Sequence, residues 1–274
     1  MTGDAQMRAA QAAGLTVLSR PGSGPALVAL HGIGSNAASF APLVAHLPPG
    51  TPVIAWNAPG YGGSQPLDAP WPTAADYAAR LADLLDALGQ AGPVTLLGHS
   101  LGCLVAAAFA ARHPDRVARL VLASPALGHG APVGGPLGAA AQARLDDLAR
   151  LGPDAFAAAR APRLLHQPET CPETAAAVTA AMAAIDPAGY AQAVRMLASG
   201  RLADDLAGLA LPAEVIVGAE DVITPPDAAR RAHAALPDAC RGPLTLVPGC
   251  GHALPQQAPE ALARRLAAAT APAH

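Results

Sequence analysis

The chain alternates short apolar runs, most of them ending in glycine or a small polar residue, with longer alanine-rich stretches of helical period. Seven such runs occur, at residues 15–18, 26–30, 52–56, 94–97, 120–123, 214–217 and 244–247. A short apolar run bounded by turn residues reads as a strand buried on both faces, and the stretches between runs supply the cover. The rhythm predicts a mainly parallel α/β sheet flanked by helices, with 15–18 as an edge strand. Helices are expected near residues 39–47, 73–88, 101–112, 226–235 and 259–269, and Thr73 with Asp76 has the spacing of an N-terminal cap.

Residues 126–200 break this rhythm. After an entry rich in glycine and proline, four helix-like segments centre on Gln142, Phe156, Ala176 and Gln192, and no strand pattern intervenes. The expectation is an all-helical cap at 126–200, inserted into an α/β core made of residues 1–125 and 201–274. A long insertion at the carboxyl edge of a parallel sheet lies where such sheets bind ligands, so a cover over an active site is expected. The alternative is a peripheral helical subdomain.

Composition narrows the class. With 274 residues, 52% hydrophobic and 14% charged, the chain can bury a large core and is not disordered. Its 17 basic residues are all arginine, scattered singly or in pairs among 20 acids for a net charge of -3, so a nucleic-acid partner is not expected. No segment keeps about 18 apolar residues free of charge or proline, and the first residues lack a basic start followed by an apolar run. The expected setting is the cytoplasm, with no membrane partner and with the four cysteines reduced. Cys240, Cys250 and His252 lack the paired spacing of a metal site, and neither metal nor organic cofactor is expected.

Gly98-His99-Ser100-Leu101-Gly102 is a G-x-S-x-G phrase placed where the run 94–97 gives way to a helix. A turn that sharp exposes the serine oxygen above the sheet, with the positive end of the next helix behind it. Serine needs a base to become a nucleophile. Among nine histidines, His252 follows the last strand-like run in a glycine-bounded loop and is the candidate. A carboxylate to orient it comes from Gly218-Ala-Glu-Asp221, where Asp221 is the first choice and Glu220 the reserve. His31-Gly32-Ile33-Gly34 ends the run 26–30, and its loop can turn the N–H of Ile33, with that of Leu101, toward an oxyanion.

Together with Asn57-Ala-Pro-Gly-Tyr-Gly-Gly-Ser64, these phrases resemble the α/β-hydrolase superfamily, in particular its cap-bearing small esterases, enol-lactonases of the 3-oxoadipate type and hydrolases of ring-fission products. The order Ser100, Asp221, His252 is that family's triad order. The resemblance implies hydrolysis of a small carboxylic ester or lactone through an acyl-enzyme. Carbon-carbon bond hydrolysis is the alternative, and a non-catalytic ligand-binding relative is the alternative of another class. Ala253 stands where ring-fission hydrolases often carry an aromatic residue, Gln257 where enol-lactonases often carry glutamate, and Asn57 where many relatives carry aspartate.

Other residues are weighed as pocket walls. Gly32, Phe40 and Tyr190 are candidate substrate contacts, as is Tyr61, although core packing is the ordinary role of the aromatics. Arg160, Arg163 and above all Arg195 could fork a substrate carboxylate, the alternative for each being a surface arginine lying along its own stem. His31 and His99 are expected to pack and to bond loops, and Cys103 to point away from Ser100 as a small core residue.

Overall fold

The computed structural model describes residues 7–268. Among the described residues eight strands form one sheet: β1 (Arg8–Ala12), β2 (Leu15–Arg20), β3 (Leu27–Leu30), β4 (Val53–Trp56), β5 (Val94–His99), β6 (Val117–Ala123), β7 (Ala213–Gly218) and β8 (Arg241–Val247). Their order is β1-β2-β4-β3-β5-β6-β7-β8, with β2 antiparallel to both neighbours and the strands from β4 to β8 parallel.

The seven expected runs are all strands, and β1 is an eighth that periodicity does not reveal. Its sequence, Arg-Ala-Ala-Gln-Ala, has no β-branched or aromatic residue and little strand preference of its own. It is held by pairing from Arg8↔Ser19 to Ala12↔Leu15 through a two-residue turn, Ala13-Gly14, with φ of +50° and +74°. β2 is therefore an inner strand, contrary to the edge position expected for 15–18.

The described residues form ten α-helices: α1 (Ala41–His46), α2 (Ala74–Ala87), α3 (Gly102–Arg112), α4 (Ala139–Arg160), α5 (Pro172–Ala183), α6 (Pro187–Ser199), α7 (Leu202–Ala207), α8 (Pro226–Ala234), α9 (Leu254–Gln257) and α10 (Pro259–Ala268). The expected end at Ala269 lies outside the described residues. Thr73 caps α2 as the spacing predicts, its own N–H donating to Asp76 Oδ2 at 2.7 Å and the Asp76 N–H bonding back.

Successive strand residues feed two cores. Val28 and Leu30 pack with α2 and α3 on one face of the sheet, while Leu27 and Ala29 pack with α1 and α10 on the other. Helix α3 is buried along residues 102–110, which explains its small side chains: alanines let it lie close to the central strands. Among the described helices none is long and apolar enough to cross a membrane.

Between β6 and β7 the described chain is helical, without strand. The segments expected around Gln142 and Phe156 are the two halves of α4, which kinks where Gly152 takes φ +73° and Pro153 lacks an N–H. α6 is tied to the loop after β4: Gln192 accepts from Leu67 N at 3.2 Å and donates to the carbonyls of Leu67 and Ala69 at 2.6 and 3.0 Å. Gly60 and Gly189 meet backbone to backbone, where a Cβ on Gly189 would stand 2.1 Å from Gly60 O.

Candidate active site

β5 delivers Ser100 into a turn where its φ is +53°, a left-handed conformation that a serine adopts only under constraint from its surroundings. The constraint is steric. A Cβ on Gly98 would lie 2.7 Å from Cys103 Cα, and one on Gly102 would lie 2.2 Å from Leu30 O, so the chain can reverse here only with glycine at both positions.

Three loops at the same end of the sheet bring the expected partners together. Ser100 Oγ stands 2.9 Å from His252 Nε2, and His252 Nδ1 stands 2.8 Å from Asp221 Oδ2. All three are buried. With Nδ1–H donating to the carboxylate, Nε2 is left to accept the serine proton. Burial pushes the Asp221 pKa up, but the hydrogen bond and charge of His252, with the N–H groups of Thr224 and Ile223, outweigh it and hold the carboxyl below its ordinary value. Those amides reach Asp221 Oδ1 at 2.9 and 2.8 Å. Glu220, the reserve acid, does not face the imidazole. It accepts the Cys250 N–H at 3.0 Å and so fixes the loop that carries His252.

Thr224 is a partner that sequence reasoning missed. Its hydroxyl lies 2.9 Å from Ser124 O, 3.0 Å from Asp221 Oδ2 and 3.2 Å from His252 Nδ1. Only its position three residues past the acid could have signalled it. Gln257, which stands where enol-lactonases often carry glutamate, accepts on Oε1 from Gly251 N at 2.8 Å and His166 N at 3.0 Å and so joins the histidine loop to the turn after α4.

His99 and His31 support the loops. His99 Nε2–H donates to His252 O at 2.8 Å, and burial, with repulsion from His252, pushes its pKa down to about 3. His31 accepts the Ala58 N–H on Nε2 at 3.0 Å and donates from Nδ1 to Gly32 O at 2.8 Å, its pKa pushed down by burial to about 4. Both are thus neutral props. Asn57 takes the Ala37 N–H at 2.9 Å and donates to Thr16 Oγ1 at 2.8 Å, a turn role that uses both ends of its amide. Cys103 is buried with its thiol on Gly98 O, and burial pushes its pKa up, so it is inert as a nucleophile.

Ile33 and Leu101 line the cavity that holds Ser100, and the backbone N–H of neither has an acceptor among the described residues. Tyr61 donates to Ile33 O at 2.8 Å and thereby sets the tilt of that loop. Gly32 lets the loop come this near without crowding, because a Cβ there would lie 3.0 Å from that of Ser100, a contact that would need a shift of a few tenths of an ångström.

The α/β hydrolase family model matches residues 27–265, nearly the whole described chain. The protein is an α/β hydrolase. An uncharacterized protein of Mycobacterium tuberculosis is 34% identical over 262 residues, covering 84% of this chain and 71% of its own. The lipase LipV of the same species is 45% identical over 106 residues, 38% of this chain and 39% of the lipase, so the hydrolase shares well under half of that relative's length. Among solved structures, an esterase from Thermogutta terrifontis with malate bound superposes with a TM-score of 0.83 at 25% identity, covering 96% of this chain and 98% of the esterase. An enol-lactonase from Burkholderia xenovorans has a TM-score of 0.80 at 24% identity, with 95% and 98% covered, and shares the fold.

In this hydrolase the cavity is lined by Gly32, Ser100 and His252 together with residues from α4, α5 and α6. Its volume is about 340 Å³. Tyr190 is part of the lining, packed edge to face against Phe156 with ring centres 5.5 Å apart. Two expectations are corrected. Phe40 is buried on the other face of the sheet among Ala29, Leu43 and Leu254, because the turn after Asn36 sends it beneath β3 rather than over Ser100. Arg195 is not in the lining, since it lies about 140° around α6 from Tyr190 at 100° per residue. Arg160 and Arg163 do line the cavity, joined by Arg144 and Arg231, which sequence reasoning did not single out.

Among the described residues no group of three or more His, Cys, Asp and Glu side chains is arranged to hold a metal ion, and the four cysteines are free.

Proposed function

We propose that this protein is a serine hydrolase that cleaves a small carboxylic ester or lactone through an acyl-enzyme. The observation that carries the reading is the unbroken line from Ser100 Oγ through the His252 ring to the Asp221 carboxylate, at 2.9 and 2.8 Å. His252 Nε2 takes the proton of Ser100 as the oxygen attacks the carbonyl carbon, and the N–H groups of Ile33 and Leu101 hold the negative oxygen that forms. When the tetrahedral centre collapses, His252 returns the proton to the leaving oxygen. The acid remains esterified to Ser100. A water then gives a proton to His252 and attacks the ester, and Ser100 recovers its hydrogen as the acid leaves. Asp221 keeps the imidazole in its working tautomer and stabilises its charged form without becoming protonated.

Relatives named as a lipase and an esterase support this chemistry, as does an enol-lactonase of the same fold. The steps require no metal or organic cofactor. We further propose that residues 126–200 act as a cap on a core of residues 1–125 and 201–274, since Leu127, Met182 and Tyr190 from that stretch line the cavity. A panel of small esters, lactones and ring-fission dienoates, scored by kcat/KM for the wild type and Ser100→Ala, tests the reading. Turnover of esters or lactones that falls by several orders of magnitude in Ser100→Ala is expected. Turnover confined to the dienoates, or retained without Ser100, would overturn it.

A further inference from the structure

The cavity over Ser100 has positive charge and no acid of its own to neutralise it. Arg144, Arg160, Arg163 and Arg231 all line it, while no aspartate or glutamate does. The chain has 20 acids against 17 arginines, so an average stretch of its surface would carry at least as many carboxylates as guanidinium groups. The four come from separate places: the two halves of α4, the turn at Ala161–Leu164 and the exposed side of α8.

Two of the four are already engaged. Arg160 donates to Asp147 at 3.1 Å and lies 4.8 Å from the Phe156 ring centre, and Arg144 bonds the Tyr190 hydroxyl. The guanidinium groups of Arg163 and Arg231 have no hydrogen bond or ion pair among the described residues. Both residues are exposed, and both line the cavity that holds Ser100. Arg231 also borders an adjoining cavity of about 290 Å³, with Leu127 and Gly128 common to both. An arginine cannot shed its proton, and its planar fork matches paired anionic oxygens. The same lining has an apolar part, with Leu127, Leu164, Leu197 and Ile223.

We propose that the site selects a small ester or lactone that carries an anionic oxygen group, a carboxylate or a phosphate, on the part remote from the reacting carbonyl, and that Arg163 and Arg231 bind this group. The inference rests on Ser100 being the nucleophile. A carbonyl seated against Ser100, Ile33 and Leu101 sends the rest of its molecule along the apolar walls and its far end to the arginines. Arg144 and Arg160 add to the field there while keeping their own partners.

The experiment compares matched substrates. Monomethyl glutarate is measured against dimethyl glutarate, and 2-acetoxyethyl phosphate against 2-hydroxyethyl acetate, each as kcat/KM. The proteins are the wild type, the double variant Arg163→Ala with Arg231→Ala, and Arg195→Ala as a control outside the cavity. At least one anionic ester should be preferred over its neutral partner by roughly tenfold to a hundredfold, the range of a charge-assisted hydrogen bond, and which one identifies the group. The double substitution should lower that preference about tenfold or more, and Arg195→Ala should leave it unchanged. Covalent labelling of Ser100 by a fluorophosphonate is followed in all three proteins. If neutral esters turn over and Ser100 is labelled, but neither anionic ester is preferred or the double variant keeps the preference, the proposal is overturned and the hydrolase reading stands. If nothing is turned over and Ser100 is not labelled, both fall.

Discussion

Asp221 Oδ2 lies 2.8 Å from His252 Nδ1, whereas the neighbouring carboxylate of Glu220 is occupied by the Cys250 amide. The two adjacent acids therefore have different consequences when neutralised. Asp221→Asn should lower kcat by about 10⁴, because the amide favours the wrong histidine tautomer. Glu220→Gln keeps an oxygen for the Cys250 N–H and should change kcat by no more than about twofold, as expected when a hydrogen bond is replaced in kind. Steady-state kinetics on one neutral ester decides, and the reverse ranking would move the orienting role to Glu220.

Thr224 should act as a positioning residue. Thr224→Val removes the hydroxyl that lies between Ser124 O and Asp221 Oδ2, and with it the single proton those two oxygens compete for. A loss of about 1 to 2 kcal/mol, roughly tenfold in kcat, is expected with KM little changed. Thr224→Ser restores the donor and should recover most of it. A change in KM alone would mean that the residue shapes the pocket instead.

Stability should fall on mild acidification. His31 and His99 have folded-state pKa values pushed down to about 4 and 3, below the ordinary 6.5 of the unfolded chain. Between those values the unfolded state binds protons that the folded state refuses. The neutral props thus contribute fully above pH 6.5, and their contribution is lost as pH falls from there toward 4. Each group adds a slope of up to about 1.4 kcal/mol per pH unit. Urea denaturation from pH 7 to pH 5 checks the sign, and His99→Gln should give a shallower dependence.

A charge cluster away from the site should matter for stability alone. Glu214 is buried in β7 between Arg119 and Arg265, and Arg119 also donates to Leu266 O at 3.1 Å, which pins α10 to the sheet. Glu214→Gln leaves two guanidinium groups against a neutral amide and should cost about 3 kcal/mol in urea unfolding. Labelling of Ser100 in the folded protein should be unaffected.

The parts of the molecule that depend on local rules were readable from the residues. The turn at Ser100 needed two flanking glycines, and the loops bearing Asp221 and His252 follow apolar runs, so strand, turn and loop all agree. What was missed depends on tertiary partners. β1 is a strand because β2 offers it a ladder, not because Arg-Ala-Ala-Gln-Ala prefers one. Phe40, a candidate pocket wall by sequence, packs on the other face, because the direction of the turn decides which face of the sheet a side chain reaches. Arg195 is the instructive case. Helical period alone separates it from Tyr190 by about 140°, while Leu197, seven residues on from Tyr190, returns to the same side and does line the cavity. Arg144 and Arg231 carried no local signal, since only the docking of α4 and α8 over the sheet brings them to one cavity.

The central claim is that Ser100 forms the acyl-enzyme, and trapping that species tests it most directly. Intact-protein mass spectrometry after a short reaction with a fluorophosphonate, followed by peptide mapping, should show one adduct per chain, on Ser100, in the wild type. Ser100→Ala should show none. His252→Ala should be labelled more slowly by several orders of magnitude, because the hydroxyl has lost its base. A folded wild-type protein that stays unlabelled, or an adduct that persists in Ser100→Ala, would contradict the account.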